Sequence, residues 1–169
     1  MTGADAPRLL VLAWGNPSRG DDALGPAFAD AVEKLALEHV TVEADFQLSP
    51  EHAHLVARHR YVLFVDAASA GAEPFTLSRV LPGGRWSFSS HTCGPDAVLA
   101  LSETLFNARP EAAMLAIRGH EFQGLGEPLS AAARRNLASA FEFLRPLLRP
   151  ECFGGIMVRA NGMCPTQGD

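Results

Sequence analysis

The sequence has no excess of positive charge and no apolar run long enough to cross a membrane. Its formal net charge is −5, and its arginines and lysines are scattered, so we expect neither nucleic acid nor an anionic bilayer as a partner. No apolar stretch approaches the roughly 20 residues of a membrane-spanning helix. Residues 1–7 lack the charged and apolar regions of a secretory signal. These absences predict a protein that is not exported and not bound to membranes.

The chain is also poor in cysteine and lacks a nucleotide-binding signature. Its three cysteines, Cys93, Cys152 and Cys164, include no pair with CxxC spacing. An odd number without such pairs favours a reducing compartment over a disulfide framework, so we expect a cytoplasmic protein. Gly15 and Gly20 have the spacing of a phosphate-binding loop, but no Lys-Ser or Lys-Thr pair follows them. Nucleotide binding of the Walker type is therefore not expected.

Length and composition predict a single domain. The chain has 169 residues, of which 47% are hydrophobic and 20% charged, and a domain of this size buries about 70% of the surface of its unfolded chain. Helical periodicity of the apolar residues disappears after Pro150. We therefore predict one α/β domain over residues 1–149 and a mobile C-terminal tail over residues 150–169.

Strands and helices alternate along the predicted domain. Apolar runs that end at turn residues predict strands at 8–14, 40–44, 61–65, 75–80 and 112–117. Apolar residues at helical spacing predict helices at 23–37, from Ser49 onward, at 95–107 and at 130–148. The uninterrupted run 61–65 is typical of a central strand, and the alternation in 75–80 is typical of an edge strand, for which an antiparallel orientation is open. The pattern predicts an α/β fold, a three-layer α/β/α sandwich with a mostly parallel sheet of about five strands.

Acidic side chains follow three of the predicted strands. Asp21 and Asp22 come after the first strand, Asp45 after the second and Asp66 after the third, while His91 precedes a predicted helix. In such sheets the functional groups lie beyond the carboxyl ends of the strands, near the point where the strand order reverses. One histidine with two carboxylates is a ligand set that suits nickel, zinc, manganese or Fe(II), with positions left open for water or substrate.

Each of these acids also has a structural interpretation. An Asp at the carboxyl end of a strand often caps the next helix, which is an open alternative for Asp66 and the favoured interpretation for Asp21. Asp21 and Asp22 also lie at a predicted helix N-terminus, where the helix dipole stabilises carboxylates without any metal. Cys93 is expected to be a small buried residue at a helix start rather than a ligand.

The other histidines are weaker candidates for a site. His52, His54 and His59 fall on one predicted helix and none follows a strand, so we expect them, like His39, to be exposed to solvent. His120 follows the last strand, at the functional edge of the sheet, and is a secondary candidate for contact with substrate.

Residues 10–25, LVLAWGNPSRGDDALG, carry a resemblance to a known family. They resemble the N-terminal signature of the nickel-iron hydrogenase maturation endopeptidases, in which a Gly-Asn loop precedes an acidic pair and a glycine. The resemblance continues at three later segments and spans residues 9–148; these segments are Val65-Asp66-Ala67, Ser89-Ser90-His91 and Gly126-Glu127-Pro128-Leu129-Ser130.

The resemblance implies a nickel-binding triad of Asp22, Asp66 and His91. It also implies an endopeptidase that removes the C-terminal extension of a hydrogenase large-subunit precursor after nickel insertion. Nickel would then arrive with the precursor, and the free protein, which we expect to be a monomer, would bind it weakly. Nickel either activates water or only docks the substrate while a carboxylate acts as base. A non-catalytic, chaperone-like binder of the nickel-loaded precursor and a metal-dependent amidohydrolase are the alternatives.

One segment departs from the commonest pattern of the family. Where many members have a Gly-Thr pair after the second strand, this chain has Asp45-Phe46-Gln47-Leu48. The segment looks like the branch that serves bidirectional, NAD-linked hydrogenases. Asp45 and Gln47 are left with three possible roles: an orienting hydrogen bond, a contact with the substrate chain, or a cap.

Overall fold

The computed structural model describes residues 8–83 and 93–161. Its centre is one five-stranded sheet, made of β1 (Leu9–Trp14), β2 (Val40–Asp45), β3 (Tyr61–Ala68), β4 (Phe75–Val80) and β5 (Glu111–Arg118). The strand order is β2-β1-β3-β5-β4. All neighbours are parallel except β4, which runs antiparallel to β5 at one edge. The predicted central strand and the predicted edge strand are both confirmed.

Helices cover both faces of the sheet. They are α1 (Leu24–Glu33), α2 (His52–Val56), α3 (Pro95–Phe106), α4 (Ala131–Leu144) and α5 (Phe153–Ala160). One apolar core joins α1, α4 and α5 to residues such as Val11 and Leu63 on one face of the sheet. A second core joins α2 and α3 to the neighbouring residues Leu12 and Phe64, which point to the opposite face. The three-layer α/β/α fold predicted from the sequence is therefore confirmed.

The described helices are short. The longest, α4, has 14 residues, and in the part of the chain that the structure describes no helix combines the length and apolarity needed to cross a membrane.

Helix α1 packs directly against the carboxyl ends of β1 and β3 because of a glycine. A Cβ atom on Gly25 would lie within 3.1 Å of the carbonyl oxygen of Val65 and would clash even more severely with that of Trp14. Without a side chain, this turn of α1 lies against both strand ends. The loop that precedes α1 is thereby held at the carboxyl edge of the sheet.

Several predicted helix limits were wrong. Helix α1 ends at Glu33 rather than near residue 37 because Ala36 adopts a left-handed conformation, with φ of 48°, which breaks the helical path. Helix α4 ends at Leu144 and continues as a 3₁₀ turn over Arg145–Leu147. In α3, the apolar side chain of Leu105 is 63% exposed.

The predicted mobile tail is wrong for residues 150–161. A 3₁₀ turn at Pro150–Cys152 leads into α5, which lies on the same face of the sheet as α1 and α4. Three side chains of α5 are at most 2% exposed, namely Phe153, Ile156 and Met157. The domain therefore extends well beyond residue 149, because the core needs these apolar groups to cover the sheet. Residues 162–169 lie outside the described part.

Candidate functional site

Asp22 and Asp66 lie at the point where the strand order of the sheet reverses. The chain leaves β1 toward β2 on one side, whereas β3 flanks β1 on the other. Asp22 lies on a 3₁₀ turn, Gly20–Ala23, between β1 and α1. Asp66 is the residue of β3 directly after Val65, the last residue of β3 that pairs with β1. Both carboxylates are therefore at the crevice where ligands bind in open α/β sheets.

Asp66 is partly buried and has an unusual pKa. Burial, as the largest cause, and the negative charge of Asp22 together raise the pKa of Asp66 to about 6. The Ala67 amide, which donates a 2.8 Å hydrogen bond to Oδ1, and the Trp14 indole N–H act in the opposite direction. Asp66 is thus ionised at neutral pH, but it binds a proton or a cation more readily than an ordinary carboxylate.

Asp22 is held by its own loop and faces a groove. Its Oδ2 accepts a hydrogen bond of 2.9 Å from the backbone amide of Asn16. The groove has a volume of about 330 Å³ and is lined by Arg19, Asp22, Ala67, Ser69 and Phe122. It therefore runs from the loop after β1, past the end of β3, to the loop after β5.

The two carboxylates have no cationic partner among the described residues. Within residues 8–83 and 93–161, the ion pairs involve neither Asp22 nor Asp66. Two neighbouring negative charges without a cationic partner attract a metal ion or a positively charged group of a substrate. No third His, Cys, Asp or Glu joins them within the described residues to complete a metal cage. His91, the third predicted ligand, lies outside the described residues.

The prediction that Asp21 caps its own helix was wrong. Its side chain is 0% exposed and accepts hydrogen bonds from the segment after β5, donated by the amides of His120, Glu121 and Ser130 and by the Ser130 hydroxyl. Burial alone would raise the pKa of Asp21, but these hydrogen bonds outweigh it and hold that pKa below its ordinary value. The sequence contained no signal for this contact, because the donors lie about a hundred positions away.

Asp45 and Phe46 extend the candidate site along the edge of the sheet. Asp45 ends β2, and its Oδ2 lies 3.5 Å from Nε2 of His52. Phe46 is 67% exposed and lines a second groove of about 230 Å³ beside Gly15 and Pro17. The segment after β2 therefore adjoins the loop that carries Asp22, and it presents a large apolar side chain to solvent.

The prediction that the histidines near α2 are exposed was wrong for two of them. His52 and His59 are each 9% exposed, whereas His54 is exposed. Nδ1 of His59 donates to the carbonyl oxygen of Leu55 at 2.9 Å, and its Nε2 accepts from the Thr41 hydroxyl at 2.9 Å. Burial, as the largest cause, lowers the pKa of His59. This residue joins α2 to β2 as a neutral structural group.

His120 lies at the carboxyl edge, as predicted, but it pairs with a residue that the sequence had not indicated. Its Nε2 contacts Oε1 of Glu73, in the loop between β3 and β4. This hydrogen bond, as the largest cause, lowers the pKa of Glu73. Both side chains are partly exposed, and neither lines the groove beside Asp22. Contact of His120 with substrate stays a prediction.

Comparison with known proteins gives matches among solved structures alone. No protein-family model and no curated protein matches the sequence. The nickel-iron hydrogenase maturation protease HycI from Thermococcus kodakarensis KOD1 is similar with 20% identity and a TM-score of 0.65, over 89% of this chain and 95% of that one.

Two further structures show the same likeness. The hydrogenase maturating endopeptidase HybD from E. coli is 20% identical, with a TM-score of 0.65 over 82% of this chain and 93% of that one. The maturation protease HybD from Thermococcus kodakarensis is 17% identical, with a TM-score of 0.60 over 84% and 99% of the two chains. The chain therefore has the fold of these proteases over most of its length.

Proposed function

We propose that this protein is an endopeptidase that removes the C-terminal extension of a nickel-iron hydrogenase large-subunit precursor after nickel insertion. The observation that carries the proposal is the pair Asp22 and Asp66, without a cationic partner among the described residues, at the strand-order reversal of a fold shared with maturation proteases. The sequence resemblance of residues 10–25 and of the segment around Asp66 supports the same function.

Nickel enters this proposal as part of the substrate. Asp22 and Asp66 supply oxygen ligands, and His91 is proposed as the third group. Such an incomplete set suits a metal ion whose other ligands come from the precursor, because it binds free ions weakly and responds only when the precursor brings the metal. The protein would thereby distinguish a finished precursor from one that still lacks nickel.

The raised pKa of Asp66 favours one of the two possible mechanisms. In one mechanism, nickel activates the attacking water; in the other, nickel docks the precursor and a carboxylate accepts the proton of that water. A pKa of about 6 makes Asp66, in the protein without nickel, a stronger base than an ordinary carboxylate while it stays ionised at neutral pH. We propose that the oxygen of Asp66 that does not bind nickel takes up this proton as water attacks the scissile carbonyl.

The test is processing of purified precursor, followed by mass spectrometry of the large subunit. We expect wild type to shorten the nickel-loaded precursor but not the nickel-free form, and Asp66→Asn to leave both intact. Asp30→Asn, an exposed carboxylate on α1, is the matched control and should process normally. A stable complex with a precursor of unchanged mass would instead indicate a chaperone-like binder. Stoichiometric metal in the purified protein without processing would indicate a metal-dependent amidohydrolase.

We also propose that the precursor belongs to a bidirectional, NAD-linked hydrogenase. The support is the segment Asp45-Phe46-Gln47-Leu48, which is anchored by the Asp45–His52 pair and by buried Leu48 and presents Phe46 to solvent. Wild type should then process the precursor of an NAD-linked hydrogenase at least tenfold faster than the precursor of another class of hydrogenase. Phe46→Ala should lower this ratio of processing rates. Equal rates on both precursors would refute the assignment to NAD-linked hydrogenases but not the proposed endopeptidase activity.

We propose that the protein acts in the cytoplasm as a monomer. Among the described residues, Cys93 and Cys152 are free thiols, as in proteins of a reducing compartment, and the precursor's nickel-binding cysteines need the same reducing conditions. Cell fractionation and light scattering of the purified protein test the two statements.

A further inference from the structure

The buried carboxylate of Asp21 connects two loops at the carboxyl edge of the sheet. Its Oδ2 accepts hydrogen bonds from the amides of His120 at 2.7 Å and Glu121 at 2.9 Å, and from the Ser130 hydroxyl at 2.9 Å. Its Oδ1 accepts from the amide of Ser130 at 2.7 Å. All four partners are donors, and all belong to the segment between β5 and α4. One side chain therefore holds both ends of that segment.

Backbone contacts make the same two loops a single unit. The amide of Asp21 donates to the carbonyl oxygen of Glu121 at 2.8 Å, and the amide of Gly126 donates to that of Ser18 at 2.7 Å. Gly20 has a φ of +52°, and a Cβ atom there would clash with the Glu121 carbonyl. The loops thus pack backbone to backbone, with the Asp21 carboxylate among them.

Both walls of the groove adjoin this unit. Asp22 is the next residue in the chain after Asp21, on the same 3₁₀ turn. Phe122, on the opposite wall, follows directly after the two amides that Asp21 binds, and its carbonyl oxygen accepts from Nε of Arg19 at 3.1 Å. A change at Asp21 would therefore be transmitted to both sides of the groove.

We propose that Asp21 is a positioning residue, whose carboxylate fixes Asp22 and the Phe122 wall by holding residues 119–130 against the loop before α1. The inference rests on the proposed function, because Asp22 is the group through which Asp21 acts. An ionised carboxylate is needed here, since an amide would turn an N–H₂ group toward N–H donors. Misplacement of a reacting group by about 1 Å can cost on the order of 100-fold in rate.

The first measurement uses the free protein. Wild type, Asp21→Asn and the control Leu144→Ala are compared by hydrogen exchange at the amides of His120, Glu121 and Ser130, each relative to the amides of β3. Leu144 is fully buried at the other end of α4, about 20 Å from Ser130. We expect at least tenfold faster relative exchange in Asp21→Asn and no faster relative exchange in the control. Unchanged relative protection in Asp21→Asn overturns the inference, whatever the protein does to a precursor.

The second measurement separates positioning from stability. At a temperature at which all three proteins are folded, processing of nickel-loaded precursor should show a kcat 10 to 100-fold lower for Asp21→Asn, with KM within threefold of wild type. Leu144→Ala should change both constants less than twofold. A kcat within twofold of wild type in Asp21→Asn would reduce Asp21 to a structural contact and overturn its positioning role.

Two further experiments apply if wild type is inactive or if Asp21→Asn does not fold. If wild type processes no precursor, the proposed function fails. Titration of the free protein with nickel chloride then tests Asp21. Nickel binding at least tenfold weaker in Asp21→Asn supports the inference, and equal or absent binding overturns it.

If Asp21→Asn does not fold, Ser130→Ala removes the hydroxyl donor and keeps the three amide donors. It should lower kcat two to fivefold with KM unchanged, and an unchanged kcat overturns the inference.

Discussion

Asp66 lies close enough to Asp22 for the negative charge of Asp22 to reinforce the effect of burial on its proton affinity. Burial is the larger cause, and together the two effects raise the pKa of Asp66 to about 6. An ionised Asp66 therefore makes the folded protein less stable at neutral pH than a neutral side chain would. Groups that destabilise the fold in this way are typical of binding and catalytic sites.

The first prediction is that Asp66→Asn stabilises the folded protein at pH 8. The folded-state pKa of about 6 exceeds the ordinary value of 3.8, so the folded state binds the proton more tightly than the unfolded state does. Wild type therefore gains stability as pH falls through 6 toward 4, and the variant lacks this gain. The pKa shift corresponds to a stabilisation of Asp66→Asn relative to wild type of at most about 3 kcal/mol. Partial solvation of the carboxylate reduces this expected difference to about 1–2 kcal/mol.

Chemical denaturation at several pH values measures the difference between the two proteins. The amide oxygen that Asp66→Asn introduces can still accept from the Ala67 amide, so no hydrogen bond of the backbone is lost. Asp30→Asn, on the exposed face of α1, should change stability by less than about 0.5 kcal/mol. A lower stability of Asp66→Asn at pH 8 would mean that Asp66 supports the fold as a cap.

Those parts of the fold and site that depend on local pattern could be predicted from the sequence. The run at 61–65 is apolar throughout because both faces of β3 are covered, and that pattern is visible without a structure. The sequence predicts Asp22 and Asp66 as site residues because they follow predicted strands, and parallel strands bring their carboxyl ends to one edge. The four donors around Asp21 could not be predicted, because tertiary folding brings them from 120–130.

Helix α5 was missed although its sequence contains a helical pattern. Phe153, Ile156, Met157 and Ala160 recur at spacings of three and four residues, and all are buried. The adjacent glycines at 154 and 155 are unfavourable in a helix and made the segment look like a loop. Packing against the sheet outweighs this low propensity, as is common for short helices in proteins.

The second prediction concerns this helix. Phe153→Ala should lower the free energy of unfolding by about 3–5 kcal/mol, because a fully buried aromatic side chain is lost from the core. Val158→Ala, on the same helix but 72% exposed, should change it by less than about 0.5 kcal/mol. A chain that ends at Pro150 should lose its cooperative transition. Thermal and urea denaturation distinguish these outcomes, and cooperative unfolding of the shortened chain would show that α5 is dispensable.

The third prediction concerns the pH dependence that arises from His59. Burial is the largest cause that lowers the pKa of His59, and the positive charges of Arg8 and Arg58 lower it as well. The hydrogen bond to the carbonyl oxygen of Leu55 acts in the opposite direction. Because the folded-state pKa is below the ordinary value, protonation favours the unfolded state. The contribution of neutral His59 is complete above about pH 6.5 and is lost as pH falls below it.

Matched variants within residues 54–59 isolate this contribution. His59→Gln should cost about 1–2 kcal/mol at pH 7.5, because two buried hydrogen bonds are disturbed, and it should show a smaller loss of stability between pH 7.5 and 5.5 than wild type. His54→Gln, which changes an exposed ring, should keep the wild-type slope. Asp66 acts in the opposite direction over part of this range, so both comparisons are made against wild type at each pH. Equal slopes for all three proteins would contradict a lowered pKa of His59.

The last prediction tests Asp22 and His91 as a shared reader of the precursor's nickel. If both side chains bind that metal, Asp22→Asn and His91→Ala should each reduce the preference for nickel-loaded over nickel-free precursor by at least tenfold. Imidazole must be neutral to bind a metal, so with an ordinary pKa near 6.5 wild type should lose affinity as pH falls from about 7.5 to 5.5.

His91→Ala should make this dependence shallower and leave the part that comes from Asp66, whose pKa is about 6, whereas Asp22→Asn should lower the affinity at every pH. Association is measured by titration calorimetry with both forms of the precursor, and melting temperatures establish that each variant is folded. His54→Gln is the control for a general effect of removing a histidine, and it should retain both the preference and its pH dependence. A structural His91 would lower the melting temperature without changing selectivity. Unchanged selectivity in both folded variants would exclude the proposed triad, because neither side chain would then sense the metal.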